Sequence, residues 1–392
     1  MKALVIDRKV ARFASARVAG MLAPGSGARW GPLDLDDAAT PALPGAEWVR
    51  IAPRLSGICG SDLSTIDGVA ARYFEPIVSF PFTPGHEVVA DTDDGRRVVL
   101  EPVLGCITRA INPPCAACAR GDLGNCERLA FGRLEPGLQT GFCCDTGGGW
   151  GTEMVAHPSQ LHTVPDDMSD EAAVMVEPAA CAIHAALRAP IAEGATVVVI
   201  GAGSLGLMTV AALRAFTQAG PIIVGARYPH QHRFAREFGA TTVVEPGEIP
   251  RVVRRHTQSM AYGDQLTGGV DVVLDCVGDS STIAQALQIV RPRGHVVVVG
   301  MPATVKVELT TLWHRETNLV GAYAYGTEQL HDGRRARTFE LAFELVAGAR
   351  LERLVTATYP LAKYSDAIAH AANAGRRGAV KVVFDLRHER KR

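Results

Sequence analysis

The segment "VVVIGAGSLGLM" (197–208) decides the fold of this chain. Its β-branched apolar run is typical of a strand buried on both faces, and the residues that follow are typical of a helix. Between them, Gly201, Gly203 and Gly206 keep the spacing G-x-G-x-x-G. The first glycine permits a tight turn, the second lets a pyrophosphate approach the backbone, and the third lets strand and helix pack closely. The segment therefore predicts a dinucleotide-binding turn.

Strand-like runs alternate with helical segments on both sides of this turn. Near-continuous valine and isoleucine indicates strands of a parallel sheet covered by helices, so we predict a doubly wound α/β domain over 186–324. The predicted strands are 196–201, 221–226, 241–245, 270–278, 294–300 and 318–324. Residues 1–185 are rich in glycine, proline and short β-like runs, which predicts a second, mostly β domain completed by 325–392.

The type of dinucleotide is predicted from the end of the second strand. Arg227 stands where an acidic residue would accept hydrogen bonds from the adenosine ribose of NAD(H). A cation there can pair with a 2′-phosphate, so NADP(H) is favoured over NAD(H), with Arg233 as a weaker second contact. Alternatively, Arg227 is only an exposed loop charge. Ser204, Leu205 and Gly300 complete the predicted cofactor contacts.

Composition excludes several classes of partner. The formal charge of the 392 residues is -1, which offers no general attraction to nucleic acid or an anionic membrane. The basic run "RHERKR" (387–392) is interpreted as a solvated tail, and the uncharged stretch 194–213 as strand, turn and helix. Nine cysteines without a secretory signal predict a reducing compartment, the cytoplasm, in which clustered thiols bind metal.

Three further motifs carry residues that bind metals. Cys59 lies in the glycine-rich turn "GICGSD" (57–62), and His86 and Glu87 follow a Pro-Gly turn. Glu177 is a carboxylate inside an apolar segment, where burial without a partner is costly. A metal ion would be such a partner.

Together these motifs resemble the zinc-dependent medium-chain dehydrogenases. "GICGSD", "PGHE", "VEPAACAIHA" and "GAGSLG" occur in the order and spacing of that family, and the chain most resembles its polyol, sugar and threonine dehydrogenase branch. The resemblance covers almost the whole chain. It implies a GroES-like catalytic domain, an inserted Rossmann domain, and a catalytic zinc in the cleft between them. It also implies an oxidoreductase that interconverts an alcohol and its aldehyde or ketone, on a small polar or polyhydroxy substrate.

The resemblance assigns roles to single residues. It implies that Cys59, His86 and Glu87 are zinc ligands and that Glu177 is a fourth ligand or the partner of the zinc-bound water. Cys181 is on the same helical face as Glu177, but we interpret it as a core residue. A zinc ion with an open position acts as a Lewis acid toward the alcohol oxygen.

Proton transfer is assigned to the same turn. Ser61 has the position of the family's relay hydroxyl, and Asp62 would orient His86, although it could instead only cap a turn. Many relatives carry a histidine where this chain has Ser64. A serine has no basic group near neutral pH, so we predict a shorter or water-filled relay.

A second cluster of cysteines lies at 105–126. Many relatives bind a structural zinc through C-x2-C-x2-C-x7-C, and Cys115, Cys118 and Cys126 match its last three positions. Asn112 occupies the first position, so Cys106 is the substitute that we predict for it. The alternative is a lobe that has lost its metal.

Two features and two rival functions remain open. The glycine-rich segment "GFCCDTGGGWG" (141–151) is interpreted as a substrate-pocket loop or a surface turn. The resemblance implies a homodimer or homotetramer, paired near 295–309.

One rival function is that of a zinc-free reductase of activated double bonds, which would lack Cys59, the His-Glu pair and Glu177. The other is a non-catalytic nucleotide- or redox-sensing protein, which would have a closed four-ligand site.

Overall fold

The computed structural model describes residues 1–389, so the end of the basic run 387–392 lies outside the described part of the chain. The chain forms two compact units. One contains Met1–Glu177 and the chain from Arg350 onward, and the other contains Pro178–Ala349. Residues 178–185 and 325–349, which the sequence assigned to the first domain, therefore group with the second unit. The reason for 325–349 is that its helix packs against the helix after the glycine-rich turn.

Strands and helices are numbered in chain order. The strands are β1 (Lys2–Ile6), β2 (Leu33–Asp37), β3 (Val49–Gly57), β4 (Val88–Thr92), β5 (Arg97–Leu100), β6 (Met154–Ala156), β7 (Leu161–Thr163), β8 (Val197–Ile200), β9 (Ile222–Gly225), β10 (Thr242–Val244), β11 (Ala261–Tyr262), β12 (Gln265–Leu266), β13 (Val270–Asp275), β14 (Val290–Val298), β15 (Asn318–Gly321), β16 (Thr327–Gln329), β17 (Arg335–Arg337), β18 (Val355–Tyr359) and β19 (Lys381–Asp385). The α-helices are α1 (Val10–Leu22), α2 (Gly27–Trp30), α3 (Gly60–Ile66), α4 (Ala116–Arg120), α5 (Asp170–Ala173), α6 (Val176–Leu187), α7 (Ser204–Phe216), α8 (Pro229–Glu237), α9 (Ile249–His256), α10 (Ser280–Ile289), α11 (Thr310–His314), α12 (Thr338–Ala349) and α13 (Tyr364–Ala372). Short 3-10 helices cover Arg72–Ile77, Leu123–Asn125, Pro158–Gln160, Pro246–Glu248, Leu351–Leu354 and Leu361–Lys363.

The first unit is built on a 7-stranded sheet in the order β18-β19-β3-β4-β5-β7, with β6 paired to β3. Every pair in it is antiparallel except β18 with β19. The C-terminal strand β19 thus lies beside β3, the strand that leads into Cys59. This pairing places the C-terminal strand beside the predicted metal turn.

Asp170 joins three segments of the first unit. Its buried carboxylate accepts hydrogen bonds from Arg54 at 2.9 Å, Arg97 at 3.1 Å and Arg387 at 3.4 Å. These arginines come from β3, β5 and the segment after β19. Because a buried carboxylate needs compensation, this cluster fixes the C-terminal segment on the sheet.

The second unit contains a 6-stranded sheet in the order β10-β9-β8-β13-β14-β15, and every neighbouring pair is parallel. Renumbered along the domain, this is the order 3-2-1-4-5-6 of a Rossmann fold. The predicted doubly wound sheet is therefore confirmed. Gly201, Arg227 and Gly300 all follow the carboxyl ends of strands, the edge at which such folds bind nucleotides. No helix within residues 1–389 has the length and apolar character needed to cross a bilayer.

Candidate metal and dinucleotide sites

Three side chains converge at the turn between β3 and α3. One ligand atom each of Cys59, His86 and Glu87 lies within 4.8 Å of the others. Cys59 precedes α3, whereas His86 and Glu87 are buried just before β4. A thiol, an imidazole and a carboxylate are the donors that Zn²⁺ takes in proteins, and three protein ligands leave one position for another molecule. The donor set therefore fits a zinc ion with an open position.

Asp62 serves both Cys59 and His86. The backbone N–H of Cys59 donates to Asp62 Oδ2 at 3.0 Å, and His86 Nδ1 lies 3.6 Å from Asp62 Oδ1. The aspartate thus caps α3 and also faces the imidazole, so the two interpretations of the sequence are compatible. Burial by itself lowers the pKa of His86, but the Asp62 carboxylate and Cys59 together raise it well above its usual range.

Lys381 is a member of this cluster that the sequence analysis missed. Its buried ammonium group binds both oxygens of Glu87 and donates to the carbonyl of Ile58 at 3.3 Å. Burial lowers the pKa of Lys381, but the charges of Glu87 and Cys59 outweigh burial and raise it. The lysine interrupts the apolar run "AVKVVFDL" (379–386), and a lysine in a buried strand requires a partner.

Glu177 lies farther from this centre than the three converging ligands. It is buried at the start of α6 and its charge contributes to raising the pKa of Lys381, but it is not among the side chains that meet within 4.8 Å. Cys181 is half-buried one turn later and belongs to neither group of converging ligands. Ser61 and Ser64 are half-buried on α3.

The second cysteine cluster forms a four-thiol site. Ligand atoms of Cys106, Cys115, Cys118 and Cys126 lie within 4.8 Å of one another. The Sγ atom of Cys126 is 3.8 Å from that of Cys106 and 4.0 Å from that of Cys115. Asn112, in contrast, is exposed. Cys106 thus occupies the place that the spacing pattern gave to residue 112, and four thiols within this distance fit a structural zinc.

Backbone N–H groups of the same lobe point at its sulfur atoms. Cys115 N–H donates to Cys106 Sγ at 3.3 Å, and Glu127 N–H donates to Cys115 Sγ at 3.4 Å. Burial raises the pKa of the Cys115 thiol, but N–H groups of Cys118 and Glu127 outweigh burial and lower it to about 6. Metals bind thiolates, so these N–H groups favour the metal-binding form of Cys115, whereas burial raises the pKa of Cys118 and raises that of Cys126 to about 11.

A fully buried arginine supports the loop around these cysteines. Arg109 is 0% exposed, and its guanidinium donates to five backbone carbonyls. These belong to Leu104, Phe131, Leu134, Glu135 and Gly137. One side chain therefore closes a loop that has little regular secondary structure. The sequence analysis did not identify Arg109, since an arginine in an irregular segment looks like any surface charge.

The glycine-rich turn of the second unit leaves room for a pyrophosphate. Gly201 has φ +94°, and a Cβ at Gly206 would lie 1.9 Å from the carbonyl oxygen of Gly201. A Cβ at Gly203 would meet no atom of residues 1–389 within 4 Å. Ser204 Oγ, at the N-terminus of α7, is buried and has no hydrogen-bond partner among the described residues. These features fit a phosphate at the helix N-terminus.

The neighbouring strand end is braced by Asp275, which the sequence analysis also missed. Its Oδ1 accepts hydrogen bonds from the N–H groups of Val277 at 3.0 Å and Gly278 at 3.1 Å, and Thr282 donates to its Oδ2 at 2.9 Å. Gly300 packs here without space for a side chain, because its Cβ would lie 2.4 Å from Val277. These contacts fix the loops beside the glycine-rich turn.

Arg227 and Arg233 differ in their surroundings. Arg227 is exposed two residues after β9, where its backbone N–H donates to Gln231 Oε1 at 3.2 Å. Arg233 lies within α8, pairs with Glu237 at 3.8 Å, and covers the ring of Phe234 at 5.0 Å. Arg227 is thus the nearer of the two to the end of β9 along the chain.

Family comparisons agree with this architecture. Residues 45–166 match the family described as "Alcohol dehydrogenase GroES-like domain", and residues 204–338 match "Zinc-binding dehydrogenase". The chain belongs to the zinc-dependent medium-chain dehydrogenases. The resemblance in the sequence is confirmed, and this dehydrogenase is an oxidoreductase of the zinc-dependent alcohol dehydrogenase type.

Individual relatives place the dehydrogenase in the polyol branch. It is 28% identical over 354 residues to L-idonate 5-dehydrogenase of Vitis vinifera, covering 86% of this chain and 88% of that protein. It is 29% identical over 330 residues to sorbitol dehydrogenase of Bacillus subtilis, covering 80% of this chain and 84% of that protein.

Solved structures share the fold. One is an oxidoreductase of unknown specificity from Escherichia coli, with TM-score 0.74, 22% identity and coverage of 98% of this chain and 99% of that one. Another, described as a zinc-binding dehydrogenase from Sinorhizobium meliloti 1021 bound to NADP, has TM-score 0.71, 23% identity and coverage of 98% and 99%.

Proposed function

We propose that this dehydrogenase uses zinc and NADP(H) to interconvert an alcohol group of a small polyol or sugar-like substrate with the aldehyde or ketone. The observation that carries the proposal is the convergence of Cys59, His86 and Glu87 within 4.8 Å. The names of the relatives, L-idonate 5-dehydrogenase and sorbitol dehydrogenase, support a polyhydroxy substrate. A zinc-free reductase of double bonds is not favoured, because it would not need this ligand set.

In the proposed site, Cys59, His86 and Glu87 would hold the zinc ion, and Glu177 is a further buried carboxylate whose charge acts on Lys381 of the same cluster. Bound zinc would supply Lewis-acid polarisation of the substrate oxygen. Asp62 would orient His86 electrostatically, since its Oδ1 faces the imidazole Nδ1 at 3.6 Å. The hydroxyl of Ser61, two residues after Cys59, would relay the alcohol proton by accepting it while passing its own proton on toward solvent.

The four thiols of the lobe are proposed to hold a structural zinc, with Cys106 as its first ligand in chain order. Four-coordinate sites of this kind are closed and contribute to folding rather than to chemistry. Since none of the nine cysteines is in a disulfide, we place the protein in a reducing compartment, the cytoplasm.

NADP(H) is proposed because a cation, not a carboxylate, follows β9. Arg227 is exposed there and can pair with a 2′-phosphate, while the glycine-rich turn and Ser204 would receive the pyrophosphate.

A homodimer or homotetramer is proposed through the open edge of the parallel sheet. β15 is the last strand at that edge, and its exposed apolar residue Leu319 is accompanied by Leu309 and Trp313. Unpaired edges with exposed apolar side chains favour pairing with another strand. This region adjoins the predicted pairing segment 295–309.

The test combines metal analysis with cofactor titrations. We expect two zinc ions per chain, and we expect Arg227→Ala to weaken NADPH binding while leaving NADH binding unchanged. Arg236→Ala is the matched control, since Arg236 is an exposed arginine of α8 to which no cofactor contact is assigned. Finding no zinc would contradict the metal half of the proposal, and an unchanged NADPH to NADH ratio in Arg227→Ala would contradict the cofactor half. Initial rates with a series of polyols, sugars and simple alcohols test the substrate class.

A further inference from the structure

The segment 141–151 is not the surface turn that the sequence allowed. Residues 146–151 are all buried, and Trp150 is 0% exposed. The ring of Trp150 packs edge-on against Phe384 of β19, with ring centroids 5.1 Å apart. The segment therefore lies inside the first unit, behind the turn that leads to Cys59.

Two consecutive residues of this segment bind both ligand-bearing turns. The indole N–H of Trp150 donates to the carbonyl of Gly57 at 3.2 Å, two residues before Cys59. The N–H of Gly149 donates to the carbonyl of Gly85 at 2.8 Å, directly before His86. The backbone N–H of Trp150 also donates to the carbonyl of Pro84 at 2.9 Å.

The packing of segment 141–151 against the two ligand-bearing turns leaves no space for side chains at the glycines of the contact. A Cβ at Gly85, which has φ +97°, would lie 2.4 Å from Trp150 Cδ1. A Cβ at Gly149 would lie 2.3 Å from Ser56 Oγ, and one at Gly148 would lie 2.1 Å from the carbonyl oxygen of Thr83. The absence of side chains in "GGGW" (147–150) thus lets this backbone pack directly against both turns. This packing explains the glycine-rich motif, to which the proposed chemistry assigns no role.

We propose that Trp150 is a positioning residue of the catalytic metal site, which fixes the Cys59 turn against the His86 turn. The two ligands come from distant parts of the chain, and Trp150 hydrogen-bonds the backbone beside each of them. A site held in this way binds metal without first ordering its ligands. This inference rests on the proposed zinc site.

The conservative variant Trp150→Phe removes the indole N–H and keeps an aromatic ring on Phe384. Trp48→Phe is the matched control, because Trp48 is equally buried and its Nε1 has no hydrogen-bond partner among residues 1–389. Each metal-depleted protein is titrated with zinc, and alkylation of Cys59 and Cys118 is followed by mass spectrometry of their peptides. Cys118, in the four-thiol lobe, is the internal reference.

We expect the zinc concentration that half-protects Cys59 to rise about tenfold in Trp150→Phe, the effect of one lost hydrogen bond. Protection of Cys118, and of both cysteines in Trp48→Phe, should stay unchanged. Equal protection of Cys59 in Trp150→Phe and wild type would overturn the proposal, and so would an equal shift in Trp48→Phe. Failure of zinc to protect Cys59 in the wild type would instead overturn the metal site itself. If Trp150→Phe does not fold, benzothienylalanine at position 150 removes the N–H and preserves the shape.

Discussion

Lys381 holds the carboxylate of Glu87 through a fully buried ion pair, so the predicted zinc ligand already has a cationic partner. The Lys381 ammonium group and a bound zinc ion would both interact with the negative charge of this carboxylate. Removing one partner of a buried pair leaves an uncompensated charge, which costs about 3–5 kcal/mol. The pair therefore links the stability of the metal-depleted chain to its affinity for zinc.

We expect Lys381→Met to lower the unfolding free energy of the metal-depleted protein by about 3–5 kcal/mol. Added zinc should recover more of the stability in the variant than in the wild type, because it supplies the missing positive charge to Glu87. Thermal unfolding with and without zinc measures both effects. An equal loss under the two conditions would show that Lys381 acts independently of the metal site.

Cys106→Ser tests the ligand set of the cysteine lobe. We expect the zinc content to fall by one ion per chain and the melting temperature to drop, because three thiolates and a hydroxyl bind zinc less tightly. Asn112→Ser is the control at the position that the family pattern would use, and it should change neither value. Metal analysis and calorimetry make the measurement. Unchanged zinc content in Cys106→Ser would exclude Cys106 as a ligand.

Arg109→Met should loosen the same lobe even while all four cysteines are present. The substitution leaves five backbone carbonyls without their donor, and each of these that is buried and finds no new donor costs about 1–3 kcal/mol. Arg109→Lys should not restore the loop, since lysine lacks the planar set of donors. Limited proteolysis across 105–137 reports the change. Resistance equal to that of the wild type would mean that the guanidinium is dispensable.

The glycine-rich turn and most residues of the two candidate metal clusters could be predicted from the sequence, because the motifs that carry them are local. Gly203 and Cys118 can be recognised from spacing alone. Lys381, Trp150 and Arg109 could not be found in this way, because their partners lie far away in the chain. Lys381 had one usable sign, its position within an apolar strand. The N-terminal helix α1, between the paired strands β1 and β2, was likewise not predicted.

Glu328 makes stability in the second unit depend on pH. Burial raises the pKa of Glu328, but hydrogen bonds from His184 at 2.8 Å and Thr338 at 2.8 Å outweigh burial and hold it below the ordinary value of 4.5. Because the pKa of Glu328 is lower in the folded state than in the unfolded state, its ionised carboxylate stabilises the fold. This contribution to the unfolding free energy is complete above pH 4.5 and is lost as the pH falls through the pKa of the folded state.

We therefore expect Glu328→Gln to lower the unfolding free energy by about 1–3 kcal/mol at pH 7, and by progressively less below pH 4.5. Glu344→Gln is the control, because its pair with Arg334 is exposed and contributes little. Urea unfolding at several pH values measures the difference. A cost that does not change with pH would contradict the role of the ionised carboxylate.

Ser64→His tests how the proton leaves the site. Ser64 lies on α3 three residues after Ser61 and is half-buried, so a histidine there would be a neighbour of the relay hydroxyl on the helix surface. An imidazole titrates near pH 6.5, whereas serine does not titrate in this range. We expect the variant to gain a limb near about pH 6.5 in its profile of kcat against pH, with faster turnover above it. Ser64→Ala is the control, because a relay that runs through water should tolerate loss of the hydroxyl. If the profiles of Ser64→His and wild type coincide, position 64 does not carry the proton, and the exit route must start from Ser61 in another direction.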